Sequence, residues 1–134
     1  MSECNLWLEA EPYALKGARA AIGRAAARAG FDHAATFEIT VAASEALNNA
    51  IEHGAPCEDG KILLSLAPAT GSLAIEVADC GHFVPPVASA DPLPERGRGV
   101  AMMRNLVDTV ELGTRDDRTY VRLVKRVGLR AGAV

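Results

Sequence analysis

The chain has 134 residues, 49% of them hydrophobic and 23% charged, and a formal net charge of −3. That length predicts one domain over residues 1–134 with one core, and no apolar run approaches the roughly 20 residues of a membrane span. The acidic balance and an aromatic content of 4% speak against direct nucleic-acid binding. The start Met-Ser-Glu-Cys-Asn lacks the basic and apolar segments of a signal peptide, so a cytoplasmic location is expected. Cys4, Cys57 and Cys80 are scattered and odd in number, so they are predicted to be reduced rather than paired or metal-binding.

Cys4, Leu6, Leu8 and Ala10 alternate with Asn5, Trp7 and Glu9, the period of a half-buried first strand. Trp7 then points away from the Leu6/Leu8 face and marks a candidate homodimer surface. Pro12 opens a helix of about 17 residues, in which Leu15, Ala18, Ile22 and Ala29 recur at helical spacing until Gly30 stops it.

The next helix is expected from Asp32 or Thr36 to His53, closed by Gly54. At about 100° per residue, Glu38, Glu45, Asn49 and Glu52 share one stripe, while Ile39, Ala43, Ala46, Leu47, Ala50 and Ile51 fill the opposite arc. Glu45 and Asn49, four residues apart, converge on one point, where a carboxylate can accept a proton and a carboxamide can ligate a hard cation. An ordinary solvated helix face has the same pattern.

After a surface loop over Ala55–Gly60, Lys61 to Ala67 reads as a strand, Thr70-Gly71 as a tight turn and Ser72 to Asp79 as its hairpin partner. Asp79 closes that strand and Gly81 follows two residues later. Such a carboxylate can accept from an exocyclic amine while the glycine leaves room for a flat ring, though Asp-x-Gly also forms plain turns. Pro85 to Glu95 carries no periodicity and is expected to be a lid-like surface connection.

Gly97 and Gly99 are expected to enter a helix, leaving free backbone N–H groups for phosphate, with Arg96 and Arg98 adding charge. Thr109 to Leu112 is a short strand, Gly113 to Asp117 a turn and Arg118 to Val127 the last strand. There Thr119, Val121, Leu123 and Val127 share one face, with Lys125 as the exception. From Arg96 onward nine Lys or Arg stand against four Asp or Glu, which offers either an anion-binding face or a solvated strand. The order of elements predicts an α+β layer, helices on one side of a mostly antiparallel sheet.

Three segments in this order carry a resemblance: Ser44-Glu45-Ala46-Leu47-Asn48-Asn49-Ala50-Ile51-Glu52-His53-Gly54, Asp79-Cys80-Gly81, and Gly97-Arg98-Gly99 with Met103. Together they resemble the anti-sigma-factor serine/threonine kinases of the GHKL, or histidine-kinase-like, ATPase superfamily with its Bergerat fold. The resemblance spans nearly the whole chain. It implies a two-layer sandwich with a mostly antiparallel mixed sheet, ATP and Mg²⁺ as cofactors, and a sigma factor and a STAS-type antagonist as partners. It implies Glu45 as the general base and Asn49 as the magnesium ligand. Asp79 would read the adenine amine, Gly81, Gly97 and Gly99 would line the adenine pocket and phosphate lid, and Thr119 would support the adenine site. One departure stands out, because Phe83 occupies the family's usual second glycine position and its bulk is expected to weaken nucleotide binding.

The resemblance implies a protein serine kinase that also sequesters a sigma factor. The alternative is a regulatory binding module of the same fold that transfers no phosphate. A metal or redox module built on His33, His53, His82 and the cysteines finds no pair at ligand spacing.

Overall fold

The computed structural model describes residues 3–54, 57, 59–81 and 95–128, with the side chains of 95–98 excepted. The lid-like connection with Phe83 and His82, and the tail expected over Ala131–Val134, lie outside the described residues.

The alternating segments become strands β1 (Cys4–Glu9), β2 (Lys61–Ala69), β3 (Ser72–Asp79), β4 (Thr109–Arg115) and β5 (Arg118–Arg126). They form one sheet in the order β1-β2-β3-β5-β4, and every pairing is antiparallel. The mixed pairing expected from the resemblance is therefore absent among the described strands. The register lines up Leu6, Leu64, Val77, Val121 and Leu112 across all five strands, and this row faces the helices. The next outward-facing row is Trp7, Leu63, Ala78, Tyr120 and Gly113. Trp7 is 47% exposed, as its period-two position requires, with the Arg118 guanidinium 5.3 Å from its ring centroid.

Three helices cover the inner face: α1 (Leu15–Ala29), α2 (His33–His53) and α3 (Glu95–Leu106). Pro12 starts a short 3₁₀ turn over Pro12–Ala14, so the first helix is divided rather than continuous. Its stop is as expected: Gly30 takes φ 96°, a left-handed conformation, and its N–H bonds back to the carbonyls of Ala26 and Ala27. The buried alanines of α1 let it lie close to β2 and α2, around a core that includes Ile22, Ile39, Leu47, Ile62, Leu64 and Ile75.

Helix α2 starts where Asp32 accepts a hydrogen bond from the Ala35 N–H at 2.8 Å. Ile39, Ala43, Ala46, Leu47 and Ala50 are buried, as the 3.6-residue period requires, and Ile51 is partly buried against them. No described helix is long and apolar enough to cross a membrane.

Lys125, the polar exception on the inner face of β5, has a definite place. Its Nζ donates to the Leu106 carbonyl at the end of α3 at 2.6 Å and stands 3.8 Å from Glu38 of α2. The arginines of the outer face answer a second question left open by the sequence. Arg115 and Arg122 pair with Glu76 at 3.0 and 3.7 Å, on the side of the sheet opposite the helices. Much of the basic surplus is thus a partly neutralised sheet face. Tyr120 donates to Glu111 Oε1 at 2.8 Å, a bond that holds its phenol above the ordinary tyrosine range.

Candidate functional site

Between α2, α3 and the inner ends of β3 and β5 lies a cavity of about 90 Å³. Its apolar walls come from Ala46, Ala50, Val77, Val100, Met103, Leu112 and Val121, and its polar groups are Asn49, His53, Asp79 and Thr119. Gly54 and Gly81 complete it. An apolar slot with a few convergent polar groups at one end suits a flat heterocycle that carries its own donors and acceptors.

Each polar group is placed by the element that carries it. Asn49 and His53 are one turn apart on α2, so both face the cavity. Asp79 ends β3 directly opposite Thr119 of β5. Asp79 Oδ1 accepts the Gly81 N–H at 2.7 Å, and the Thr119 hydroxyl donates to the Gly81 carbonyl. These two bonds fold the chain after β3 into a tight turn that aims the Asp79 carboxylate inward, where it is only 8% exposed. Asp79-Cys80-Gly81 is thus the turn that its composition allows, and that turn leaves the carboxylate facing the cavity.

Gly54 was expected only to stop α2, and it does so with N–H bonds to the carbonyls of Asn49 and Ala50. It also makes room for Asp79. A Cβ at Gly54 would lie 2.6 Å from Asp79 Oδ2 and 2.6 Å from the Ala50 carbonyl oxygen. Gly99 does the same for another carboxylate, since a Cβ there would lie 2.5 Å from Glu45 Oε1. Glu45 thus packs against α3, one turn before Asn49 on α2. Asn49, Asp79, Gly81 and Thr119 meet at one cavity, with Glu45 and Gly99 in mutual contact beside it.

The glycine segment differs from expectation. Helix α3 begins at Glu95, so Gly97 and Gly99 lie inside its first turns rather than before it. The N–H groups a helix leaves unbonded run only to its third helical residue, here Gly97, and Gly99 is beyond them. The backbone of Arg96, Gly97 and Arg98 is at that positive end. The first five residues of α3, Glu-Arg-Gly-Arg-Gly, include no apolar side chain larger than glycine and give no periodic signal, which is why the helix starts earlier than the glycines suggested.

The prediction for the cysteines is also corrected. Cys57 and Cys80 form a disulfide with Cα atoms 5.0 Å apart, while Cys4 is free and exposed. The pairing joins the segment after α2 to the end of β3, two places that only the fold makes adjacent. Sequence reasoning also missed His53 and Gly54 as parts of the site, although the i, i+4 relation between Asn49 and His53 was available to it.

An oxygen-ligand divalent cation fits this arrangement in outline. The Asn49 carboxamide faces the cavity, an oxygen donor of the kind a magnesium ion takes when phosphates supply most of its shell. Among the described residues no group of three or more His, Cys, Asp or Glu side chains could hold a metal by itself.

Residues 8–125 match the histidine kinase-like ATPase domain, and the chain belongs to that family. A similar solved structure is that of the RsbU and RsbW domains of Rv1364c from Mycobacterium tuberculosis, at a TM-score of 0.71 and 26% identity. The similarity covers 94% of this chain but only 32% of that one, so this chain spans about a third of the solved protein's length. No curated protein matches the chain.

Proposed function

We propose that the chain is an ATP-binding anti-sigma regulatory module that sequesters a sigma factor and phosphorylates a Ser or Thr of a STAS-type antagonist. The observation that carries this reading is the meeting of Asn49, Asp79, Gly81 and Thr119, from three elements and a turn, at one cavity. Membership of the ATPase family and likeness to a solved chain with an RsbW domain support it.

In this reading Asp79 accepts a hydrogen bond from the exocyclic amine of adenine, and the Gly81 turn, braced by Thr119, lets the flat ring approach. Asn49 would hold Mg²⁺ together with the phosphates, and the ion supplies charge neutralisation on them. The first two turns of α3, with Arg96, Gly97, Arg98 and Gly99, would lie beside the phosphate chain. Glu45 takes the proton of the partner hydroxyl as its oxygen bonds to the γ-phosphorus, and the bond from that phosphorus to the bridging oxygen breaks to release ADP. The partners are read from the resemblance: a sigma factor, a STAS-type antagonist and, through the Trp7 face, a second copy of the chain. A cytoplasmic location accords with such partners.

The test is transfer of label from γ-labelled ATP to a purified antagonist. Glu45→Ala is expected to bind nucleotide nearly as well as the parent and to transfer roughly 10²-fold more slowly or worse. Asn49→Ala should weaken nucleotide binding in magnesium. Equal turnover by the Glu45 variant removes the base assignment. A second reading, a binding module that transfers no phosphate, is favoured by one observation: Glu45 packs on Gly99 and is not among the cavity-lining residues. Nucleotide binding with no transfer to any STAS-type antagonist would select it.

A further inference from the structure

The Cys57–Cys80 bond is placed where it can act on the cavity. Cys80 lies between Asp79, whose Oδ1 holds the Gly81 N–H, and Gly81, whose carbonyl takes the Thr119 hydroxyl. Cys57 comes three residues after Gly54, the residue that packs on Asp79 Oδ2. Cys57 is fixed in turn by its N–H on the Lys61 carbonyl at 3.1 Å and its carbonyl on the Gly60 N–H at 2.7 Å. The disulfide therefore ties the exit of α2 to the end of β3, two walls of one cavity, at the level of its most buried carboxylate. Neither cysteine is buried, which leaves the bond within reach of small thiols. Disulfides in thiol-rich compartments are mostly transient, catalytic or redox-sensing.

We propose that Cys57–Cys80 is a reversible thiol–disulfide site that sets the affinity of the adjacent cavity for an adenine nucleotide, an inference that rests on the nucleotide reading above. In the oxidised form the Asp79–Gly81 turn is held against Gly54 before ligand arrives, so binding has little ordering left to do. A dithiol reductant reverses this in two steps. One thiolate attacks a protein sulfur, breaking the S–S bond and forming a mixed disulfide; the second thiolate then displaces the protein sulfur. The products are two protein thiols and the reductant's own disulfide, with two electrons and two protons transferred. Oxidised glutathione runs the exchange the other way and leaves as two molecules of the thiol. In the reduced form the two walls are joined only by non-covalent contacts, and the ligand must order them.

The experiment uses the whole chain, oxidised with glutathione disulfide or reduced with dithiothreitol, with free thiols counted by mass spectrometry and MgATP affinity measured by calorimetry in each state. Reduction is expected to raise Kd roughly threefold or more, reversibly. Cys57→Ser and Cys80→Ser should each show the reduced-state affinity under both conditions, while Cys4→Ser still responds. Equal affinities in the two states, with the bond confirmed present and absent, overturn the proposal and leave the nucleotide reading standing. Failure of the bond to form under oxidising conditions overturns it too. No nucleotide binding in either state overturns the nucleotide reading and this proposal with it.

Discussion

Two glycines stand against two carboxylates, and the atoms they face decide what an added methyl group would do. At Gly54 the Cβ meets a backbone oxygen as well as Asp79, and the helix end cannot yield without moving. Gly54→Ala is expected to cost about 1–3 kcal/mol of stability and to push the Asp79 carboxylate out of position. Urea unfolding and nucleotide titration together check this, and parent-like affinity in a folded Gly54→Ala protein would sink the link to Asp79. At Gly99 the three nearest atoms are side-chain atoms of Glu45, which can swing aside. Alanine also suits a helix better than glycine by roughly 0.5–1 kcal/mol. Gly99→Ala should therefore fold at least as well as the parent while misplacing Glu45, with phosphotransfer lowered roughly 10- to 100-fold. An unchanged transfer rate would mean that the position of Glu45 does not matter to the reaction.

At the level of elements, Lys125 shows how a single polar residue on an apolar face can hold two helices. It bonds the last turn of α3, where the helix dipole is negative, and faces Glu38 on α2. Its side chain is only 15% exposed, so solvent replaces these partners poorly. Lys125→Met keeps the stem and removes the charge, and should lower stability by about 1–3 kcal/mol, read as a lower urea midpoint at an unchanged slope. The sequence marked Lys125 as an exception without saying what it touches, because both partners are distant in the chain. Helix α2 was legible in its period and its glycine stop, and its start at His33 falls inside the Asp32-to-Thr36 range that the sequence left open. The β4–β5 turn was not. Gly113 looked like turn punctuation, yet it lies within β4 under the Tyr120 ring, and the positive φ values fall on Asp116 (51°) and Asp117 (63°). Asp tolerates that left-handed region, so the tight two-residue turn carries no glycine to announce it. In the candidate site, the placing of Asn49 on the polar stripe of α2 and of Asp79 at a strand end was readable from local spacing. The Gly54 contact and the Cys57–Cys80 pair were not, since each depends on β3 ending beside the exit of α2.

For the molecule as a whole, the disulfide closes the β2–β3 hairpin into a loop spanning 23 residues of sequence. Closing a loop of that size in the unfolded chain is worth about 3 kcal/mol, so reduction should lower Tm by roughly 10 °C in a chain of this length. Calorimetric scans with and without dithiothreitol check it, and coincident melts would mean that the bond does not constrain the unfolded chain.

Asp79 and Thr119, both assigned to the nucleotide, stand at one pole of the sheet, and the opposite pole is tied off separately. There the β2–β3 turn at Gly71 takes the Val127 N–H on its carbonyl and gives its own N–H to Ala29. Arg126 is opposite Ser72 while Thr119 is opposite Asp79, which separates the two ends by about 23 Å of strand. A fluorophore or a biosensor chip linked just past β5 would therefore be anchored to the rigid body of the protein yet stand a full strand's length from the bound ligand.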